Sequence, residues 1–205
     1  MKYVYFIRHA RSHANQLNLL IGRQGAHELN EIGQEQARCL AVRLKEQGVT
    51  ALRTSPLPRA RQTAALLGEA TAAEVRVEED LIERDFGPFD GMDRPTLLAA
   101  RAERGLDNVD PTGYFPPSAD GVEPIASVQQ RMGQAWRLAA AESGPDDVVG
   151  LVSHAGTIKA LLYGELGIPE QHPRAFKVFQ ASYVKCKVPE PGRLTVHEIW
   201  VNPVQ

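Results

Sequence analysis

Short apolar runs recur along the chain, and each ends in a turn signal or a cluster of polar groups. Residues 3–7 form an unbroken β-type run that reads as a buried strand. Residues 30–47 carry Ile32, Ala37, Leu40, Val42 and Leu44 at helical spacing, with Asn30 placed as N-cap and Gly48 as stop. Residues 49–54 predict a short strand, and Ser55-Pro56-Leu57-Pro58 turns it into a helix over about 59–69. A third strand is predicted at 75–77, with 81–83 leading out of it. A long helix at 125–143, a buried strand at 148–152 and a helix at 157–166 follow. The rhythm then changes: 176–188 and 194–201 read as strands with no helix between them, which predicts an antiparallel hairpin at a sheet edge.

Strands alternating with helices predict an α/β fold, with three α/β/α layers around a mostly parallel sheet and the antiparallel hairpin at its edge. With 205 residues and 43% hydrophobic content, the chain can bury one core, so 1–205 is read as a single domain. Between 87 and 124 the composition shifts, with six prolines, a helical stretch near 95–104 and the pair Tyr114-Phe115. A connection of that length is expected to be functional, here a cap-like insertion over the site. The balance of 23 basic against 25 acidic residues, without a basic block, argues against a nucleic acid or a membrane surface as partner. No signal peptide or membrane span is read, so the expected compartment is the cytoplasm. Cys39 and Cys186 are expected to be reduced thiols rather than a disulfide.

Arg8, His9, Arg11, Ser12, His13 and Asn15 follow the first strand at once. They should gather at its carboxyl end, where open α/β sheets place ligands, and make a pocket for an anion. A lone Arg-His pair is most often a solvated strand end. The second buried strand also ends in a histidine, in Ser153-His154-Ala155-Gly156-Thr157. Two histidines at two strand ends point to one site.

These residues carry a family resemblance. Arg8-His9-Ala10-Arg11-Ser12-His13-Ala14-Asn15, Ser55-Pro56-Leu57-Pro58-Arg59 through Thr63, Leu81-Ile82-Glu83-Arg84-Asp85-Phe86-Gly87 and Ser153-His154-Ala155-Gly156 occur in the order typical of the histidine phosphatase (phosphoglycerate mutase-like) superfamily. Gly22-Arg23-Gln24-Gly25, Leu29 to Gly33 with Gln36-Ala37, and Gly121-Val122-Glu123 are weaker matches. The resemblance implies a metal-independent phosphatase without cofactor, acting on a small phosphorylated metabolite. It implies His9 as the nucleophile that becomes a phosphohistidine. Arg8, Arg59 and His154 would grip the phosphoryl group, with Ser12 and Asn15 as further donors. Glu83 would supply the proton to the leaving oxygen. The residue types fit: a guanidinium fork matches two phosphoryl oxygens, and an imidazole can attack through one nitrogen while the other fixes its tautomer.

On spacing alone Glu83 could be a solvated member of an acidic stretch, and Glu79 or Asp85 could take its role. Burial would favour a protonated acid there and neighbouring arginines an ionised one. Ala10 stands where the family usually has glycine, Arg11 where an acidic residue is common, and residues 25–29 look shortened, which leaves the roles of His27 and Glu28 open. Arg11, Arg84, Phe86 and Tyr114, with Arg94 and Arg101, are the candidates for substrate selection. The rival readings are a phosphoglycerate mutase, a silent phospholigand-binding protein and a metal-dependent hydrolase. The phosphatase pattern of residues 84–91, the modest insertion and the short segment after Val201 favour hydrolysis.

Overall fold

In the computed structural model, residues 3–105, 121–168, 177–188 and 194–204 are described. Six strands, β1 (Tyr3–Arg8), β2 (Ala51–Thr54), β3 (Glu74–Val77), β4 (Val148–Ser153), β5 (Tyr183–Lys187) and β6 (Thr195–Trp200), form one sheet in the order β3-β2-β4-β1-β5-β6. The first four in that order are parallel, and β5 and β6 join antiparallel. The helices are α1 (His13–Gln16), α2 (Glu31–Glu46), α3 (Pro58–Thr71), α4 (Arg94–Ala102), α5 (Ile125–Ala141) and α6 (Ala155–Leu166). The fold is the α/β arrangement that the pattern predicts.

Alternation along β1 explains the layers. Tyr5 and Ile7 point into a cluster with Leu40 and Leu44 of α2 and Leu67 of α3, while Val4 and Phe6 pack with Met132 and Trp136 of α5 and Ile158 and Leu161 of α6. Each fully buried leucine contributes about 1.5–3 kcal/mol, so packing rather than intrinsic propensity holds these helices. Asn30 caps α2 as expected, its side chain accepting the Gly33 N–H at 2.8 Å. Both cysteines are free, and burial pushes the Cys186 thiol up to about 12. Among the described residues no helix is long and apolar enough to cross a membrane.

Two expectations need correction. The strand predicted to run over 176–188 is regular only from Tyr183. Just before it Ala181 takes φ +46°, and Arg8 Nη1 bonds the Val178 carbonyl at 2.8 Å, so this stretch serves the end of β1 instead of extending the sheet. The expected start of that strand at Phe176 and the hairpin turn at 189–192 lie outside the described residues. Helix α1 was not anticipated, although Ser12 and Asn15 form a reciprocal capping box that the sequence displays.

The insertion begins as a small packed unit. Phe86, Phe89, Leu97 and Val122 form a cluster of their own, with Leu20, Met92 and Ala100 against it. Its remainder, residues 106–120 with Tyr114, lies outside the described residues. The two ends of the insertion meet backbone to backbone: Glu123 N–H donates to Asp85 O at 2.9 Å, and a Cβ on Gly87 would overlap the Gly121 carbonyl. Gly87 also has φ +52°, which only glycine adopts without strain. Gly87→Ala should therefore cost more than the roughly 1 kcal/mol expected from φ alone, which Gly105→Ala, at φ +65° with open space around it, measures. Denaturant midpoints for the two variants check this; equal losses would contradict the backbone contact.

Candidate active site

Strands β1 and β4 pair in parallel with Arg8 opposite Ser153, so His9 and His154 leave the sheet at the same level. Their ring centroids are 5.0 Å apart with planes at 56°, and both rings are buried. The His9 backbone is tied on both sides, its N–H to Ser153 O at 2.9 Å and its carbonyl to Ala181 N at 3.2 Å. His9 Nδ1 lies 2.7 Å from the Ala10 carbonyl oxygen. A carbonyl can only accept, so Nδ1 carries the proton and Nε2 keeps its lone pair.

Ala10 is accommodated without strain. Its φ is not positive, its N–H donates to Thr63 Oγ1 at 3.0 Å, and its methyl is fully buried in the core. Thr63 Oγ1 in turn donates to Arg59 O at 2.7 Å, which ties the loop after β1 to α3.

Arg59 sits in the first turn of α3 and is 1% exposed. Its Nη2 donates to Gly22 O at 2.9 Å, while Nη1 is buried with no protein partner among the described residues. His154 Nε2 lies 2.7 Å from Ser55 Oγ at the end of β2, and its Nδ1 is likewise buried without a partner. Native proteins leave few buried polar atoms unsatisfied, and two in one site mark a place for a ligand.

Glu83 occupies the N-terminus of α6. Its Oε1 accepts from Thr157 N at 3.0 Å, Thr157 Oγ1 at 2.8 Å and Arg84 N at 2.8 Å, and its Oε2 from Gly156 N at 3.3 Å. These bonds fix the Glu83 carboxyl group at the start of α6, the helix that follows His154 directly. Of the three carboxyls considered from sequence, Glu83 alone reaches this point beside His154; Glu79 is exposed, and Asp85 Oδ1 accepts from Gly87 N at 2.8 Å.

Burial, then the charge of Arg59 and of Arg8, holds His9 well below the ordinary histidine range. Burial, Arg59, His9 and Arg8 do the same to His154. Arg59 is itself lowered to about 10, chiefly by burial and also by Arg8, with Glu83 and Asp90 opposing. Cations crowd this strand end to a degree that suits a multiply charged anion.

The other expected residues take diverse places. Ser12 and Asn15 bond to one another across α1, and Arg11 N–H donates to Gln36 Oε1 at 3.0 Å. Arg84 Nε donates to Glu123 O at 2.7 Å, Phe86 is buried in the insertion's cluster, Arg101 is buried on α4 and Arg94 is exposed. Missing from the sequence expectations are the residues that brace Glu83. Glu123 takes a two-pronged bond from Arg131 at 2.8 and 3.0 Å and one from Arg23 at 2.8 Å. Burial pushes the Glu123 carboxyl up, but the bonds and charge of Arg131, Asp85 N–H and Arg23 outweigh it and hold it below the usual range. Arg23 Nε also donates to Glu83 O at 3.0 Å, and Arg131 Nη1 to Ile82 O at 2.6 Å. The motifs Gly22-Arg23 and Gly121-Val122-Glu123 were the available signal. Among the described residues, no group of three or more His, Cys, Asp or Glu is arranged to hold a metal ion.

With this fold and this site, the chain belongs to the histidine phosphatase superfamily (branch 1), which it matches over residues 4–200. The "Bifunctional protein Rv2228c" of Mycobacterium tuberculosis is 31% identical over 161 residues, 76% of this chain but 42% of that protein, so the chain spans less than half of that relative. The "Probable phosphoglycerate mutase GpmB" of Cronobacter sakazakii is 29% identical over 184 residues, covering 89% of this chain and 83% of the relative. Among solved structures, the mycobacterial glucosyl-3-phosphoglycerate phosphatase Rv2419c superposes with a TM-score of 0.82 at 25% identity, over 98% of each chain.

The buried neutral imidazoles make stability depend on pH. Below about pH 6.5 the unfolded chain protonates both histidines while the folded chain resists, so the unfolded state holds more protons and stability is lost as pH falls. Urea denaturation should show a loss on the order of 1 kcal/mol per histidine between about pH 7.5 and 5.5. His154→Gln should lose measurably less over the same interval; an equal loss would contradict the assignment.

Proposed function

We propose that this protein is a metal-independent phosphatase of small organic phosphomonoesters that works through a phosphohistidine on His9. The observation that carries the reading is the His9 Nδ1 to Ala10 O hydrogen bond of 2.7 Å, because it commits Nε2 to nucleophilic use beside the buried Arg59 and the half-buried Arg8. Nε2 attacks phosphorus as the bond to the leaving oxygen breaks, and Arg8, Arg59 and His154 hold the peripheral oxygens, whose charge is what the site must stabilise. Arg59 Nη1 and His154 Nδ1, both without protein partners among the described residues, are donors for this task. Asn15, in the first turn of α1, is a further neutral donor through its side-chain amide, and so is the N-cap Ser12 once its hydroxyl turns away from Asn15 Oδ1. Glu83 gives its proton to the leaving oxygen. It then takes one from the water that attacks phosphorus, and the N–P electron pair returns to Nε2.

In this reading the arginines supply the charge that a metal supplies in other phosphatases, and no cofactor enters. Residues 87–124 act as a cap over the site, and Arg11, Arg84, Phe86 and Tyr114 select the substrate, Phe86 through the packing of the cap. The protein works in the cytoplasm as one domain. Hydrolysis is favoured by the likeness to a phosphatase structure along nearly the whole chain. The second reading is a mutase, favoured by the relative named as a phosphoglycerate mutase.

One assay set tests both. The enzyme is given an aryl phosphate, a sugar phosphate, and 3-phosphoglycerate with a catalytic amount of 2,3-bisphosphoglycerate. Phosphate release from several esters with little isomerisation is expected; isomerisation much faster than phosphate release would overturn the reading. Glu83→Gln should slow the sugar phosphate by about a hundredfold or more and the aryl phosphate far less, since an aryl oxide hardly needs a proton. Equal slowing would remove Glu83 from the proposed role.

A further inference from the structure

We propose that Asp90, in the first turn of the insertion, is a positioning residue for Arg59 and through it for the phosphoryl group; the proposal rests on the phosphatase reading. The geometry runs through one tight turn. Asp90 Oδ1 accepts from Gly22 N at 2.8 Å and Oδ2 from Gln24 N at 2.9 Å. The same turn offers Gly22 O to Arg59 Nη2 at 2.9 Å. One carboxylate therefore holds the backbone whose carbonyl sets the orientation of the guanidinium, and that carbonyl bond directs Nη1 away from the turn.

A second set of contacts makes the junction rigid. Leu20 N donates to Met92 O and Gly91 N to Leu20 O, each at 2.8 Å, so residues 20–24 and 90–92 are laced together. A Cβ on Gly22 would stand 2.8 Å from Arg84 O, 2.9 Å from Asp90 Oδ2 and 2.9 Å from Phe86 Cδ2, so the turn packs against the root of the insertion with no room to shift. Arg23, at its centre, donates to the Glu83 carbonyl and to the Glu123 carboxylate. The turn thus touches the phosphate-binding side through Gly22 and the acid side through Arg23. Asp90 also lies close enough for its charge to oppose the lowering that burial imposes on Arg59.

Asp90→Asn is the direct probe. An asparagine keeps one acceptor for one N–H and presents an NH2 to the other, so one of the two bonds is replaced by a donor facing a donor. A misplacement of this kind costs on the order of ten- to a hundredfold when it reaches a group that must be in place for the reaction. The expected result is a fall of about tenfold or more in kcat/KM for an aryl and a sugar phosphate alike, because phosphate binding is common to both. Orthovanadate should inhibit more weakly by a comparable factor, with melting temperature little changed. The readout that separates positioning from mere bracing is the cycle with Arg59→Ala: in that background Asp90→Asn should leave vanadate inhibition unchanged. Vanadate inhibition unaltered in the single variant, or weakened by the same factor with and without Arg59, would overturn the proposal. Should Asp90→Asn not fold, Asp90→Ser, which also keeps one acceptor, is measured instead against the same outcomes. A wild-type protein that neither hydrolyses the esters nor binds vanadate overturns the phosphatase reading, whereas an active wild type with an indifferent Asp90 overturns this inference alone.

Discussion

The parallel, in-register pairing of β1 with β4 is the constraint on which the rest depends. With Arg8 opposite Ser153, both strands end together, and two imidazoles and a guanidinium enter one small volume. The alternating apolar faces of β1 fix that register, because a one-residue slip would turn Tyr5 and Ile7 out of one core and Val4 and Phe6 out of the other. The helices then follow by necessity. α3 starts where Arg59 must sit, and α6 starts directly after His154, so that its free N–H groups receive Glu83.

Burying this much positive charge is costly, and the protein offsets the cost with backbone carbonyls. Arg8 bonds Val178 O, and Arg59 bonds Gly22 O. Carbonyls orient a guanidinium without neutralising it, so the site keeps a net attraction for anions. Carboxylates are used one step away: Glu123 is matched by Arg131 and Arg23, and Asp90 by two backbone N–H groups. The division leaves Glu83 held at the start of α6, directly after His154, rather than paired with an arginine side chain.

Much of this was legible beforehand. Unbroken apolar strand runs, a capped amphipathic α2 and histidines after two buried strands pointed to the layers and to the end of the sheet that carries the site, and the ordered motifs identified Arg8, His9, Arg59, Glu83 and His154 as candidates that the fold then brings together. What was not legible depends on contacts far apart in sequence. Asp90 meets Gly22 across 68 residues, and Arg23 meets Glu123 across 100, so neither has a local pattern to announce it. The irregular stretch before β5 was misread as strand because its apolar residues serve Arg8 and His9 through their backbone atoms, a demand that hydrophobic patterning does not encode. Ala10 departs from the glycine usual in the family, yet its backbone lies outside the left-handed region, and its methyl fills the core.

The central claim is that His9 is the nucleophile and His154 is not. Wild-type protein mixed with an aryl phosphate, quenched in alkali within milliseconds to seconds and digested under conditions that preserve phosphoramidates, measures this directly by mass spectrometry. The account predicts a phosphoryl group on the peptide containing His9, localised to that residue, and none on the peptide containing His154. Phosphate carried by His154, or steady turnover by His9→Ala at the wild-type rate, would contradict it.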